Sequence, residues 1–152
     1  MPLQITQVLE NELLERFDSI LAALRKFEKS VAIHKANSQS EITKLRQREG
    51  EIYGVGASTK GNVLLQTLGP TSRNIVAICD VNPKKFGLLT PGTNIPIISE
   101  ELLVSTATKE AVFLVLPWHF KYPLMKSLKL KYPGRKFQLL FPLPKIEFVE
   151  IS

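Results

Sequence analysis

The chain has 152 residues, enough for one substantial hydrophobic core, and no apolar run reaches membrane-spanning length. Its net charge of +6 falls almost entirely after residue 50, which points to an anion-binding second part without naming the anion. The basic residues do not interleave with an aromatic platform and no zinc-finger spacing occurs, so neither nucleic acid nor a membrane is the expected partner. The opening Met1-Pro-Leu-Gln-Ile lacks a basic leader followed by an apolar core. The single cysteine, Cys79, excludes an internal disulfide; its apolar neighbours suit a buried thiol in a reducing compartment, so a cytoplasmic location is expected.

The first third, residues 1–49, reads as a helical segment that packs on the domain behind it or extends from it. Leu13, Phe17, Ile20, Leu24, Phe27 and Val31 alternate steps of four and three, which is an apolar seam along a helix. Such a seam packs on its own domain or docks on another domain or subunit. It fades at His34. Ser38 and Glu41 fit a capping box, so a second short helix is expected from there, carrying Ile42 and Leu45 and ending near Gly50.

From residue 50 to 152 the texture becomes that of an α/β domain. Glu51 to Val55 reads as a strand, and Thr59 to Leu68 as a helix stopped by Gly69-Pro70. Asn74 to Cys79 is a nearly unbroken apolar run, as expected of a strand covered on both faces. A loop rich in Pro, Gly and Lys follows over residues 82–94, then a short strand at Ile95 to Ile98. Ser99 is placed to cap a helix that starts at Glu100-Glu101. Glu110 to Leu116 is a strand and Trp118 to Lys131 a helix, with Pro123 in its first turn or displacing its start. Lys136 to Phe141 is a strand, and Ile146 to Val149 an added edge strand. Repeated strand–helix alternation predicts a Rossmann-like, mostly parallel sheet with helices on both faces.

The chemistry concentrates in the first strand–helix turn. Gly54 and Gly56 permit close backbone approach, and the amides of Ala57 and Ser58 are candidate anion donors, with the Ser58 hydroxyl beside them. Lys60 supplies a mobile positive charge, and Gly61 suits tight helix–sheet packing. Thr59 stands where a dinucleotide fingerprint has its third glycine, and the Walker order Gly-Lys-Ser/Thr is absent. A purely structural turn is the competing reading. Asp80 closes the next strand, where a Rossmann carboxylate reaches a ribose hydroxyl pair; it equally starts the turn Asp80-Val-Asn-Pro83. Asn82, Lys84 and Lys85 serve recognition or turn chemistry. Trp118 and His119 follow the strand that ends at Leu116, at the sheet end where ligands bind; core packing and capping are their alternatives. Pro91-Gly92-Thr93 reads as a β-turn. No metal-ligating cluster, paired carboxylates or nucleophile elbow is present, so no catalytic residue is assigned.

Four stretches in one order, Gly54-Val-Gly-Ala-Ser-Thr-Lys-Gly-Asn62, Asp80-Val-Asn-Pro-Lys-Lys-Phe-Gly87, Pro91-Gly-Thr-Asn-Ile-Pro96 and Leu116-Pro-Trp-His119, resemble the C-terminal domain of bacterial S-adenosylmethionine-dependent sugar C-methyltransferases. Val55 departs from the family, which commonly has Tyr there. The resemblance implies a Rossmann-like domain that helps hold a nucleotide-linked sugar or other phosphorylated small molecule. It also implies that S-adenosylmethionine (SAM) and the general base belong to a separate SAM-binding methyltransferase domain, not to this chain. Gly56, Ser58, Lys60, Asn62, Asp80 and Trp118 are then the residues expected to face the ligand. Two rival readings remain at this stage. One is a small NAD-like dinucleotide-binding protein using the Gly54 loop and Asp80; the other is a non-catalytic interaction domain using the Leu13–Val31 helix.

Overall fold

A computed structural model describes residues 2–47, 50–70 and 72–152, with side-chain environments from residue 7 onward. Contacts divide the chain into two compact units, one reaching Lys35 and the other running from Ala36 to Ser152. Helix α1, Pro2–Gln47, supplies the first unit and the opening of the second.

One continuous α1 replaces the two helices expected from sequence. No Gly or Pro interrupts residues 3–47, so nothing breaks the backbone ladder. Ser38 and Glu41 do not form the entry cap expected of them: Ser38 is buried within the helix, and Glu41 pairs with Lys44 at 2.8 Å. In the first unit, the apolar seam of α1 is exposed.

The second unit is a six-stranded sheet in the order β3-β2-β1-β4-β5-β6. The strands are β1 (Ile52–Val55), β2 (Ile78–Asp80), β3 (Ile97–Ser99), β4 (Val112–Val115), β5 (Phe137–Phe141) and β6 (Glu147–Ile151). The first five are parallel and β6 is antiparallel to β5. Helices α2 (Thr59–Leu68), α3 (Glu100–Thr106) and α4 (Lys121–Lys131) complete the unit.

The alternation of side chains along the central strand sorts two cores. Phe113 and Val115 of β4 point to one face, where they meet Leu103 of α3, Leu128 of α4 and Phe137. Val112 and Leu114 point to the other, where Leu65 of α2, Ile78 and Ile42 from the end of α1 cover them. Helices therefore cover both faces, which explains why β4 reads as an unbroken apolar run. Each fully buried Leu or Ile here contributes about 1.5–3 kcal/mol of burial free energy. Gln39 adds a polar tie, donating from Nε2 to the Leu68 carbonyl at 2.8 Å.

Three of the boundaries that differ from the sequence expectation do so for a local reason. Extended pairing next to β1 begins only at Val76, whose N–H reaches the Ile52 carbonyl at 2.9 Å; residues 72–74 turn instead. Strand β3 starts at Ile97 because the Ile95 N–H is taken by Thr90 Oγ1 at 2.9 Å and Pro96 has no N–H. The segment after β4 opens with a 3₁₀ turn, Trp118–Phe120, before α4. The Pro123 ring clashes with a helical carbonyl four residues back, at His119, so the α-helix starts at Lys121.

Candidate functional site

Strand order reverses between β1 and β4: β2 lies outside one and β5 outside the other. The chain leaves both strands at their C-terminal ends, so the residues after Val55 and after Val115 flank the point where the strand order reverses. In open parallel sheets this switch point is where ligands bind.

The first wall is the turn into α2. Gly56 has φ +85°, and a Cβ there would lie 2.9 Å from Pro117 Cδ, so only glycine fits against the second wall. Ser58 caps α2, its side chain accepting from the Gly61 N–H at 3.1 Å. Gly61 is wedged: a Cβ would sit 2.9 Å from the Gly56 carbonyl oxygen and 3.0 Å from Leu116 Cβ. Gly54 lies inside β1, where a Cβ would meet Ile78 Cγ1 at 2.7 Å, so its bare backbone serves the approach of β1 and β2.

Most amides of this turn are satisfied internally. Gly56 N–H donates to the Cys79 carbonyl at 2.8 Å and Ser58 N–H to the Gly56 carbonyl at 2.9 Å. The Ala57 N–H lies near enough to the Asp80 carboxylate to help hold that group below its ordinary value. The donor expected at Ser58 is thus engaged by the protein itself, and the one at Ala57 faces the Asp80 carboxylate. The open donors lie one step further on, at Thr59 and Lys60, in the first turn of α2. Both residues are exposed, and among the described residues neither amide has a protein acceptor.

The floor comes from the end of β2. Asp80 is 8 % exposed, and both its oxygens are in use. Oδ1 accepts from Asn82 N–H at 2.9 Å, and Oδ2 from Lys85 Nζ at 2.8 Å. Lys85 Nζ also donates to the Ala57 carbonyl at 2.9 Å, so one ammonium fastens the loop after β2 to the turn after β1. Burial pushes the Asp80 carboxyl up, but the Lys85, Asn82 and Ala57 hydrogen bonds and the Lys85 charge outweigh it and hold the group below its ordinary value. Asn82 caps the 3₁₀ turn Pro83–Lys85, its side chain accepting from Lys84 N–H at 3.1 Å. Each Asp80 oxygen thus already accepts a hydrogen bond from the loop that follows β2, so the carboxylate has a structural task at this end of the sheet.

The second wall is Leu116-Pro117 and the 3₁₀ turn behind it. Trp118 is half-buried and packs against both cores, with its ring edge-on to His119 at 5.3 Å. His119 is exposed and lies 4.4 Å from the Phe120 ring. On the first wall Lys60 is exposed, whereas the Asn62 Oδ1 atom is buried without a hydrogen-bond partner. Two open depressions, of about 200 and 260 Å³, lie elsewhere: beside Gln39, Leu68 and Asn74, and over Phe148 and Glu150.

Lys85 and Pro117 are the contributors that pattern reading undervalued. The turn Asp80-Val-Asn-Pro83 signals a chain that doubles back, which is what returns Lys85 to Asp80. Pro117 carries no comparable signal. Cys79, under the turn, is buried, and burial and then the Glu100 charge push its thiol up to about 12, which disfavours the thiolate. Among the described residues, no group of three His, Cys, Asp or Glu side chains gathers to hold a metal.

The strand order, the glycine turn at the switch point and the helix start behind it define a Rossmann-like α/β domain. The chain belongs to the C-methyltransferase C-terminal domain family, whose profile matches residues 2–144. This is the family its four motifs resemble, and it makes the chain a methyltransferase-associated domain. No curated protein matches the sequence significantly.

Proposed function

We propose that this chain is the substrate-holding module of a SAM-dependent C-methyltransferase, that it grips the phosphate of a nucleotide-linked sugar, and that it transfers no methyl group alone. The observation that supports this most is the pair of open amides at Thr59 and Lys60, beside the Lys60 side chain and at the switch-point crevice. Its role is positional. Fixing the phosphate places the sugar carbon for a methyltransferase domain that carries SAM and the general base, and positioning of that kind lowers a barrier without a reacting group here. Family membership supports the methyltransferase association, and the net charge of +6 suits an anionic ligand. A cytoplasmic site of action belongs to the same proposal.

Titration calorimetry with a dTDP-sugar, NAD and SAM separately tests the reading. The dTDP-sugar is expected to bind and the other two not. Lys60→Glu is expected to weaken dTDP-sugar binding by about tenfold or more, through loss of one charge-assisted contact and gain of a repulsion. Binding of NAD or SAM in place of the sugar nucleotide, or methyl transfer by the purified chain, would refute it.

A further inference from the structure

Helix α1 carries a face that nothing in its own unit covers. Leu13, Phe17, Ile20, Leu24, Phe27 and Val31 are between 39 % and 68 % exposed, and their steps alternate four and three without a break. That spacing is the seam of a helix that packs on another helix, knobs into holes. From Leu13 to Val31 it runs about 27 Å at 1.5 Å per residue. A contiguous apolar patch of this length marks an interaction surface.

We propose that the occupant of this face is the same helix of a second copy, running antiparallel. Two features of the sequence favour that partner. The seam is symmetric about Ala22. An antiparallel copy sets Leu13 opposite Val31, Phe17 opposite Phe27 and Ile20 opposite Leu24, so every layer pairs with itself under a twofold axis. The charges follow the same rule. Residues 10–18 carry four carboxylates (Glu10, Glu12, Glu15, Asp18) against Arg16. Residues 25–35 carry four cations (Arg25, Lys26, Lys29, Lys35) against Glu28. Antiparallel pairing lays the acidic half of each helix along the basic half of the other; parallel pairing lays like on like. Helix axes in such pairs are about 8–10 Å apart, within roughly one Debye length at 0.1 M salt, so this difference selects the orientation. The seam ends after Val31 because His34 and Ser38 take the next two positions.

Sedimentation equilibrium of the full chain tests the association, and cysteine cross-linking tests the orientation. A dimer is expected at about 100 µM and still at about 10 µM, a micromolar or tighter affinity. Ile20→Glu with Leu24→Glu, which replaces the central layer by good helix formers, is expected to give a monomer whose 36–152 unit keeps its near-ultraviolet circular dichroism. Leu13→Cys and Val31→Cys, made separately and mixed, are expected to cross-link to each other on oxidation and not to themselves; buried Cys79, 3 % exposed, does not compete. A monomer at both concentrations overturns the proposal. So does an unchanged mass in the double-Glu variant, or self-cross-linking of either cysteine variant, which would mean parallel chains. A monomer whose α1 instead binds anionic vesicles or a methyltransferase domain would assign the face to that partner and overturn the dimer.

Discussion

Gly61 shows how context reverses a propensity. In an exposed helix interior, Gly→Ala stabilises by about 1 kcal/mol, because glycine loses more backbone entropy. At Gly61 the added Cβ would press on the Gly56 carbonyl oxygen at 2.9 Å and on Leu116 Cβ at 3.0 Å. Neither is the free end of a flexible side chain, so something in the backbone has to shift. Overpacking of that kind costs about 1–3 kcal/mol and outweighs the entropy gain. Gly61→Ala is therefore expected to lower the thermal midpoint, read by calorimetry, whereas a structural account without the wedge would have it rise. The need for a small residue here was visible in the sequence. What was not visible is that Gly54, two positions before the turn, answers to Ile78 on a neighbouring strand.

At the level of elements, the loop after β2 depends on a single ammonium. Lys85 is one-third exposed and Asp80 nearly buried, so their pair lies between a weak surface bridge and a costly interior one. Lys85→Met is expected to cost about 1–2 kcal/mol in urea unfolding at neutral pH, because it leaves a buried carboxylate short of a donor. The folded-state value of Asp80 is depressed, so the contribution is present above the ordinary carboxylate range and disappears as pH falls through that lower value. The difference between wild type and variant is thus expected to hold from neutral pH to about 5 and to shrink below about 4, near the unfolded value. A difference that grew on acidification would contradict the assignment. Helix α2 was legible to the residue, from Ser58 at its start to Gly69, φ +78°, past its end, since both termini carry chemistry that favours one geometry. The continuity of α1 was not. Ser-x-x-Glu fits an entry cap and a helix interior equally well, and only the backbone decides between them. The same limit applied to the site. Residue types named the turn correctly as a place rich in amides, but which of those amides remain open depends on Asp80 and Cys79 arriving from another strand.

On the scale of the whole molecule, two units of different character share one chain. The 36–152 unit has two cores around a sheet and is expected to unfold cooperatively. A lone amphipathic helix is only marginally stable in water, since most helical stability in proteins comes from packing its apolar face. Amide exchange over residues 7–33 is therefore expected to be fast in dilute solution and to slow as concentration rises, while exchange in β1 and β4 stays unchanged. Hydrogen-exchange mass spectrometry at two concentrations reads this directly; protection of α1 independent of concentration would point to cover from within the chain. The alternation of strands and helices made the sheet and its helical layers legible at this scale, because each period is imprinted locally. The division after Lys35 was not, since it reflects missing tertiary contacts and not any local signal.

The bare Cα of Gly56 resting on the Pro117 ring has a mechanical consequence. With no side chain between them, the turns after β1 and β4 abut, so a shift of one has to be taken up by the other. The spacing of the two turns is therefore set when the sheet forms, and a ligand held there as proposed would be selected by its fit to a surface already in place.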